Sequence, residues 1–408
     1  AVFDEAHHLP AVAAGAFTVE VGFPRFAALG RSLRLLRPPG LDLGRLEALE
    51  ETAAAFFAAL SPAGSEEDNA WPLTTYPLSL ATKLRQYLRD LARHVSGLSG
   101  AKAAEKEAAE RLAREAERLA QELHFILQGE EGYVSWVQAT KRLPVLQATP
   151  LEVGDLLGQY LFGRLESSVL TSATLSLAGD FGFFRQEVGL ATGPELCLPS
   201  PFAFQEQCLL YLPLDLPEPN DPDFYAAAVP RIATLLDLSR GRALVLFTSY
   251  RALRQAYDYL APRLPYPLLC QGEQSRQTLL HTFRQEIASV LLATASFWEG
   301  VDVPGEALSC LIIDRLPFAV PGHPVTEARL AAIRAAGGNA FFHYSLPQAI
   351  LRLKQGFGRL IRHRRDRGVV AILDRRLTAK AYGRLFLAAL PPCPRTHALE
   401  EVRRFFET

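Results

Sequence analysis

The chain opens with an acidic pair that could serve phosphate chemistry. Asp4 and Glu5 follow the apolar run AVF, and His7 and His8 come shortly afterwards. A nucleoside triphosphate site needs one carboxylate to hold Mg²⁺, usually through water, and a second group to orient the attacking water. Two adjacent acids at the end of a strand could supply both groups. An acidic pair that caps a surface helix is the alternative interpretation.

A second candidate is the segment TSATL at 171–175, which follows a short apolar run. Its small hydroxyl residues, Ser172 and Thr174, would lie in a tight loop at the exit of a strand. Such hydroxyl groups could relay hydrogen bonds between a phosphate site and a neighbouring domain. An ordinary polar turn has the same composition and is the alternative.

The segment ATASFWEGVDVPG combines hydroxyl, aromatic and acidic residues after an apolar strand. Hydroxyl groups, rings and backbone amides on one loop suit contacts with the phosphates and bases of a single nucleic-acid strand. A buried tryptophan beside a turn is the alternative. The candidate nucleic-acid contacts are Thr294, Phe297 and Trp298, and the candidate nucleotide contacts are Gly300 and Asp302.

The segment QGFGRLIRHRRDRG is rich in arginine. A helix over 346–363 would present Gln355, Arg359 and Arg362 on one face, because they fall at i, i+4 and i+7. Arginine is suited to stabilising the charge that develops on a transferring phosphoryl group. Between 351 and 384 there are eleven Lys or Arg residues and two acids, so this region is basic although the net charge of the chain is −1. A solvated basic surface is the alternative.

Length and composition indicate an ordinary globular protein of two or three domains, with 408 residues of which 49% are hydrophobic. No apolar run reaches the length of about 20 residues that spans a bilayer, and no secretory signal is visible, so we expect a cytoplasmic protein without a membrane partner. The five scattered cysteines form no C-x-x-C pair. They predict buried reduced thiols rather than a disulfide framework or a metal site.

The order of elements places the candidate residues between two α/β regions. Residues 24–132 are rich in Ala, Leu, Arg and Glu and predict helices. From Leu209 onward short Val, Leu and Ile runs alternate with helical segments, which predicts a mainly parallel sheet covered on both faces. Ligands of such sheets bind beyond the carboxyl ends of the strands. The pattern therefore favours an enzyme that hydrolyses a nucleotide in a cleft between two α/β domains.

Six segments together resemble a known family. DEAH (4–7), TSATL (171–175), VLFTSY (245–250), SFWEGVDVPG (296–305), IIDRLPF (312–318) and QGFGRLIR (355–362) are similar to motifs II to VI of superfamily-2 helicases, specifically the DinG branch of the DinG/XPD group. The resemblance covers nearly the whole chain. It implies two RecA-like parallel-sheet motor domains with an inserted helical Arch domain. The implied boundaries are 1–23 with 133–208 for an incomplete first motor domain, 24–132 for the Arch, and 209–408 for the second motor domain.

The resemblance also implies a role for each candidate residue. Asp4 would position Mg²⁺, Glu5 would activate water, and His7 would help to couple the two motor domains. Arg359 and Arg362 would be arginine fingers that contact ATP, with Gln355 beside them. Ser172 and Thr174 would couple hydrolysis to strand movement, and Thr248, Ser249 and the loop of Phe297 and Trp298 would lie near single-stranded DNA or the nucleotide cleft.

The implied activity is an ATP-dependent DNA helicase that moves 5′ to 3′ on single-stranded DNA, acts on DNA with single-stranded tails in repair or replication, and works as a monomer. The 408 residues contain no G-x-x-x-x-G-K-[ST] phosphate loop. We therefore expect a chain truncated before the DEAH motif and inactive by itself, with any iron–sulfur cluster in the preceding segment. The alternatives are a DNA-binding fragment without turnover and a DinG-like motor associated with an exonuclease, although no acidic nuclease cluster is apparent.

Overall fold

The computed structural model describes residues 1–61, 69–96, 103–294, 297, 305–319 and 322–407. Its strands are β1 (Val2–Phe3), β2 (Val19–Gly22), β3 (Ala70–Pro72), β4 (Tyr133–Gln138), β5 (Val145–Pro150), β6 (Val169–Leu170), β7 (Cys208–Tyr211), β8 (Ala243–Leu246), β9 (Leu268–Cys270), β10 (Val290–Ala293), β11 (Cys310–Ile313), β12 (Gly368–Ile372) and β13 (Arg395–Thr396).

The helices alternate with these strands for most of the chain. They are α1 (Leu9–Phe17), α2 (Phe23–Leu36), α3 (Leu43–Ala58), α4 (Leu78–Ser96), α5 (Ala103–Gln128), α6 (Gly154–Tyr160), α7 (Gly182–Val188), α8 (Phe204–Gln207), α9 (Phe224–Leu238), α10 (Tyr250–Leu260), α11 (Arg276–Gln285), α12 (Pro324–Ala335), α13 (Leu346–Phe357), α14 (Arg376–Ala379), α15 (Gly383–Ala389) and α16 (Leu399–Glu407). Short 3₁₀ turns lie at Ala6–His8 and Phe162–Arg164, and a π-helical turn lies at Phe341–Ser345.

The largest sheet among the described residues has seven parallel strands in the order β13-β7-β12-β11-β8-β10-β9. Strands β7, β8, β10, β11 and β12 are buried along their whole length. Complete burial is expected when helices cover both faces of a parallel sheet. The parallel α/β architecture predicted for the region from Leu209 onward is therefore confirmed, and we call this region the large-sheet domain.

Two hydrophobic cores lie on opposite faces of the large-sheet domain. Leu244 and Leu246 of β8 pack in one core with α11, α13 and α15. Val245, between them, packs in the other core with α9, α10 and α16. Alternate residues of a strand point to opposite faces, so one apolar run supplies both cores. Ser249 and Ser275 cap α10 and α11 by accepting hydrogen bonds from backbone N–H groups of the first turn.

A smaller α/β segment contains the beginning of the chain. Its strands β1 and β6 are parallel, with Val2 beside Val169 and Phe3 beside Leu170. Helices α1, α6 and α7 share a separate small core that includes Phe184. We call these elements the first α/β segment.

The helical unit consists of α2 to α5 together with an antiparallel sheet in the order β2-β5-β4-β3. Val137 of β4 and Leu146 of β5 are fully buried in the same core as the helices. The predicted boundary assigned 133–208 to the first motor domain, but the backbone pairing and shared core join 133–150 to the helical unit instead. None of the described helices, including the 26-residue α5, is both long and apolar enough to cross a membrane.

The helical unit offers a matched test of its core. Leu33 is fully buried and Leu35, two residues later on α2, is 86% exposed. We expect Leu33→Ala to lower the free energy of unfolding by about 2–5 kcal/mol, because the substitution removes packed methyl groups and leaves a cavity. Leu35→Ala is the control and should change it by less than about 0.5 kcal/mol. Urea denaturation followed by circular dichroism measures both, and equal effects would contradict the assigned core.

Candidate functional site

The acidic pair lies where the backbone turns out of β1. Asp4 Oδ1 accepts hydrogen bonds from the backbone N of Glu5 and from Thr171 Oγ1, both at 2.9 Å. Thr171 was not among the predicted site residues, although it is the first letter of the TSATL segment. The Asp4 side chain is solvent-exposed, which suits a carboxylate that meets a hydrated cation.

Glu5 has a left-handed backbone, with φ of 49°, a conformation that is uncommon for residues other than glycine. Its carboxylate Oε2 accepts a hydrogen bond from Ser172 Oγ at 3.0 Å. His7 Nδ1 lies 2.7 Å from the same Ser172 oxygen and 3.2 Å from Glu5 Oε2. Because the Ser172 hydroxyl has one proton, it can donate to Glu5 only while the ring of His7 donates to Ser172. Ser172 therefore holds the acid and the histidine together.

A hydrogen-bonded series continues from Ser172 into the large-sheet domain. Ser172 Oγ and Thr174 Oγ1 are 3.4 Å apart, and Gln355 Nε2 of α13 donates to Thr174 Oγ1 at 3.5 Å. Lys354 Nζ donates to the carbonyl of Ser176 at 3.3 Å, and burial lowers the pKa of this lysine. The predicted hydroxyl loop thus contacts the predicted arginine region through the residues that precede the arginines.

A second set of contacts joins the same two parts of the chain. Gln348 Nε2 donates to Glu187 Oε2 at 3.4 Å, and Arg329 Nη1 lies 3.9 Å from the same carboxylate. Burial raises the pKa of Glu187, an effect that Arg329 opposes. These polar contacts lie beside a cavity of about 80 Å³. The interface between the two parts is therefore partly polar and not fully packed.

The predicted helix over 346–363 is too long. Helix α13 ends at Phe357, and Arg359 and Arg362 follow in a turn and a loop. Gly356 and Gly358 flank the last helical residue, and glycine stabilises a helix interior poorly. The spacing i, i+4, i+7 therefore does not position the arginines.

The loop that carries the arginines is held by its backbone. The buried carboxylate of Asp366 accepts hydrogen bonds from the backbone N of Arg362 at 2.8 Å and of His363 at 2.7 Å. The Gln207 amide donates to the carbonyls of His363 and Asp366. Two residues absent from the predicted site, Asp366 and Gln207, thus fix the loop.

A buried aspartate organises the loop after β8. Asp314 Oδ1 accepts hydrogen bonds from the backbone N of Thr248 at 3.1 Å and of Arg315 at 2.6 Å. Tyr225 donates its hydroxyl to Asp314 Oδ2 at 2.7 Å. Burial raises the pKa of the Asp314 carboxyl to about 6, although these hydrogen bonds oppose the rise. The predicted residue Thr248 is thus hydrogen-bonded to Asp314 of the IIDRLPF segment, which was not among the predicted site residues.

The predicted nucleic-acid contacts have different surroundings. Ser249 is exposed, and its hydroxyl caps α10. Thr294 is buried and donates to Gln271 Oε1 at 3.1 Å. Phe297 is 2% exposed in the core of the large-sheet domain, with Arg276 over its ring. Both side chains are thus packed inside, whereas the sequence predicted exposed contacts with nucleic acid; those contacts stay a prediction.

Three further predicted residues, Trp298, Gly300 and Asp302, lie outside the described residues. Among the described residues, no group of three or more His, Cys, Asp or Glu side chains could hold a metal ion. A hydrated Mg²⁺ commonly takes one or two carboxylates and completes its shell with water and substrate phosphates. Asp4 is compatible with that mode of binding.

The Asp314 carboxyl predicts a pH dependence of stability. Between about pH 4 and pH 6 the unfolded chain ionises this group whereas the folded protein keeps its proton. The folded state binds more protons in this window, so the stability contributed by Asp314 falls as pH rises and is lost above about pH 6.

Comparing wild type with Asp314→Asn isolates this contribution. From pH 4 to pH 7 the free energy of unfolding of wild type should fall by about 2 kcal/mol relative to that of the variant, measured by urea denaturation across the range. A difference that does not vary with pH would contradict the assignment.

Both sequence comparisons find helicases. The helicase C-terminal domain family matches residues 232–393. The chain is 35% identical over 410 residues to the ATP-dependent DNA helicase YoaA of Escherichia coli K12, covering 99% of this chain and 64% of that protein. It is 42% identical over 263 residues to the ATP-dependent helicase DinG of Mycobacterium tuberculosis H37Ra, covering 64% of this chain and 40% of that protein. The chain therefore spans less than two thirds of the length of these relatives.

A solved structure has a similar fold. A solved XPD helicase structure superimposes with a TM-score of 0.61 at 13% identity, covering 97% of this chain and 68% of that one. At this identity the likeness shows the fold alone. By sequence the chain is similar to the helicases named YoaA and DinG, and its residues 232–393 match the helicase C-terminal domain family.

Proposed function

We propose that this chain is part of the ATP-driven motor of a DNA helicase that moves 5′ to 3′ along single-stranded DNA and unwinds duplexes during repair or replication, and that the chain by itself does not hydrolyse ATP because it contains no phosphate loop. The observation that carries the proposal is the hydrogen-bonded series from Glu5 through Ser172 and Thr174 to Gln355. It joins a candidate water-activating acid to the region of the candidate arginine fingers. The names of the sequence relatives support ATP and DNA as ligands.

Hydrolysis would use residues on both sides of the cleft. Asp4 would hold Mg²⁺, which neutralises charge on the phosphates. Glu5 would accept a proton from the attacking water while Ser172 and His7 keep its carboxylate in place. Arg359 and Arg362 would stabilise the charge that develops on the transferring phosphoryl group. Gly300 and Asp302 are proposed as further nucleotide contacts.

The DNA contacts belong to the same proposal. Thr248, Ser249 and Trp298 would lie along the strand, and the helical unit would guide it as an Arch. The substrate would be DNA with a single-stranded tail, and the active species a monomer in the cytoplasm. Exposure of Ser249 and the fixed backbone of Thr248 support these two contacts.

Replacing the proposed general base tests the chemistry. In a version of the protein extended upstream to include a phosphate loop, we expect Glu5→Gln to lower DNA-stimulated ATP hydrolysis by about 10²–10⁴-fold, because the amide cannot accept the proton. Binding of single-stranded DNA should remain. Steady-state phosphate release and fluorescence anisotropy measure the two quantities. Glu131→Gln, at an exposed position, is the control with the same change of charge; turnover that is equal in the two variants would refute the role of Glu5.

Removal of the Thr174 hydroxyl tests whether its hydrogen bonds couple ATP hydrolysis to DNA unwinding. Thr174→Val keeps the shape of this buried side chain but removes the hydrogen bonds to Ser172 and Gln355. In the same extended version of the protein, we expect the number of base pairs unwound per ATP to fall about tenfold or more, with a smaller loss of hydrolysis, if these bonds couple the two events. Thr82→Val on the surface of α4 is the control. A proportional loss of both activities would show that Thr174 serves hydrolysis alone.

A further inference from the structure

A cationic pocket lies at the carboxyl edge of the large sheet, away from every residue assigned above. Leu212 follows β7 directly, and His397 follows β13 directly. With Lys380, Arg384 and Arg395 they line a cavity of about 360 Å³. We call these five residues and their cavity the edge pocket. In parallel sheets this edge is where ligands bind.

The positive charge of the edge pocket is only partly compensated. Lys380 Nζ lies 3.2 Å from Glu218 Oε1, but both side chains are largely exposed, so the pair is weak. Arg395 donates to the carbonyl of Leu387 at 3.2 Å, which uses one of its donors. The exposed side chain of Arg384 has no hydrogen bond or ion pair within the described part of the chain. Guanidinium and ammonium groups arranged in this way can bind phosphate oxygens.

His397 is fixed in one orientation. Its Nδ1 lies 2.6 Å from the carbonyl of Leu212. A carbonyl only accepts hydrogen bonds, so Nδ1 carries a proton and Nε2 is the second polar atom of the ring. The imidazole is thus held against the end of β7, where it can contribute a further polar contact without reorganisation.

The strand order relates the edge pocket to the proposed DNA contacts. Thr248 and Ser249 follow β8, which is three strands from β7 and four from β13. Neighbouring strands are about 4.8 Å apart, so the two places are separated by roughly 14–19 Å along the same edge. A single nucleic-acid strand that lies on Thr248 and continues along this edge would reach the pocket.

We propose that the edge pocket binds backbone phosphates of the DNA strand as it continues past the loop of Thr248 and Ser249. This inference rests on the proposed function. Among the residues that line the edge pocket, the imidazole of His397 is the only aromatic ring, and there is no carboxylate. The pocket therefore has few groups that could recognise the base or the ribose of a free nucleotide. Phosphate contacts without base contacts give binding that is independent of sequence and sensitive to salt.

The test compares charge removal at the two edges of the sheet. Lys380→Gln/Arg384→Gln removes two cations of the pocket, neither of which is in the core. Arg240→Gln/Arg263→Gln is the matched control, because these exposed arginines lie before β8 and β9 at the amino edge. Affinity for single-stranded oligonucleotides of increasing length is measured by fluorescence anisotropy across a range of salt concentrations.

We expect Lys380→Gln/Arg384→Gln, the pocket variant, to bind long oligonucleotides several-fold more weakly than wild type. Its slope of log K against log [salt] should be smaller in magnitude by about 1, because fewer phosphates are neutralised. Short oligonucleotides cannot reach from the loop of Thr248 and Ser249 to the edge pocket, so they should bind the pocket variant and wild type with equal affinity. The control variant should match wild type at every length. Circular dichroism verifies that both variants are folded.

Other results would overturn the inference in distinguishable ways. An unchanged salt slope for long oligonucleotides in the pocket variant, while wild type binds DNA, would refute the edge pocket alone. Failure of wild type to bind any oligonucleotide would refute the proposed function as well. Inorganic pyrophosphate is the probe for a free ligand: if the pocket variant loses pyrophosphate binding but keeps its DNA affinity and salt slope, the pocket serves a free phosphate compound rather than DNA.

Discussion

The parallel pairing of β1 with β6 is the contact on which the candidate nucleotide site depends. Backbone hydrogen bonds from Thr171 to Phe3 and from Ala6 to Thr171, both 2.9 Å, extend this short register. They bring Ser172 to Glu5, which is 167 residues away in sequence. Without this register the acid pair would lose the hydrogen bonds from Thr171 and Ser172, and neither carboxylate would have a fixed direction.

The helical unit occupies the sequence between these two strands. Closing so long a loop costs conformational entropy, and the unit reduces that cost because α2 to α5 and their antiparallel sheet form a core of their own. The two ends of the insertion, β2 and β5, pair with each other, Val19 beside Ala148 and Gly22 beside Val145. The insertion therefore returns the chain close to where it left, and β6 can reach β1.

Buried aspartates perform a similar task in the large-sheet domain. Asp314 holds the backbone of Thr248, Asp374 accepts from the backbone N of Leu316 at 2.8 Å, and Asp366 holds the backbone of Arg362. Each carboxylate connects the end of one strand or loop to another part of the chain. Hydrogen bonds from backbone N–H groups offset part of the desolvation cost of such groups. The loops proposed to meet ATP and DNA thus owe their positions to acids that are themselves removed from solvent.

The sequence by itself determined the parallel α/β architecture, because strands buried on both faces must be apolar throughout. It proposed Asp4, Glu5, Ser172 and Gln355 as site residues by their type and motif, and the structure joins Glu5, Ser172 and Gln355 in one hydrogen-bonded series. The sequence placed Arg359 and Arg362 on a helix that ends before them, since Gly356 and Gly358 flank the last turn. It also treated Thr294 and Phe297 as surface contacts although they are packed inside. Only the tertiary structure decided where these four residues lie. It also revealed the contacts of Thr171 and Asp314 and the existence of the edge pocket, none of which the sequence had indicated. The physical reason is that burial and hydrogen-bond partners depend on strand register and packing between distant segments, which local residue patterns do not specify.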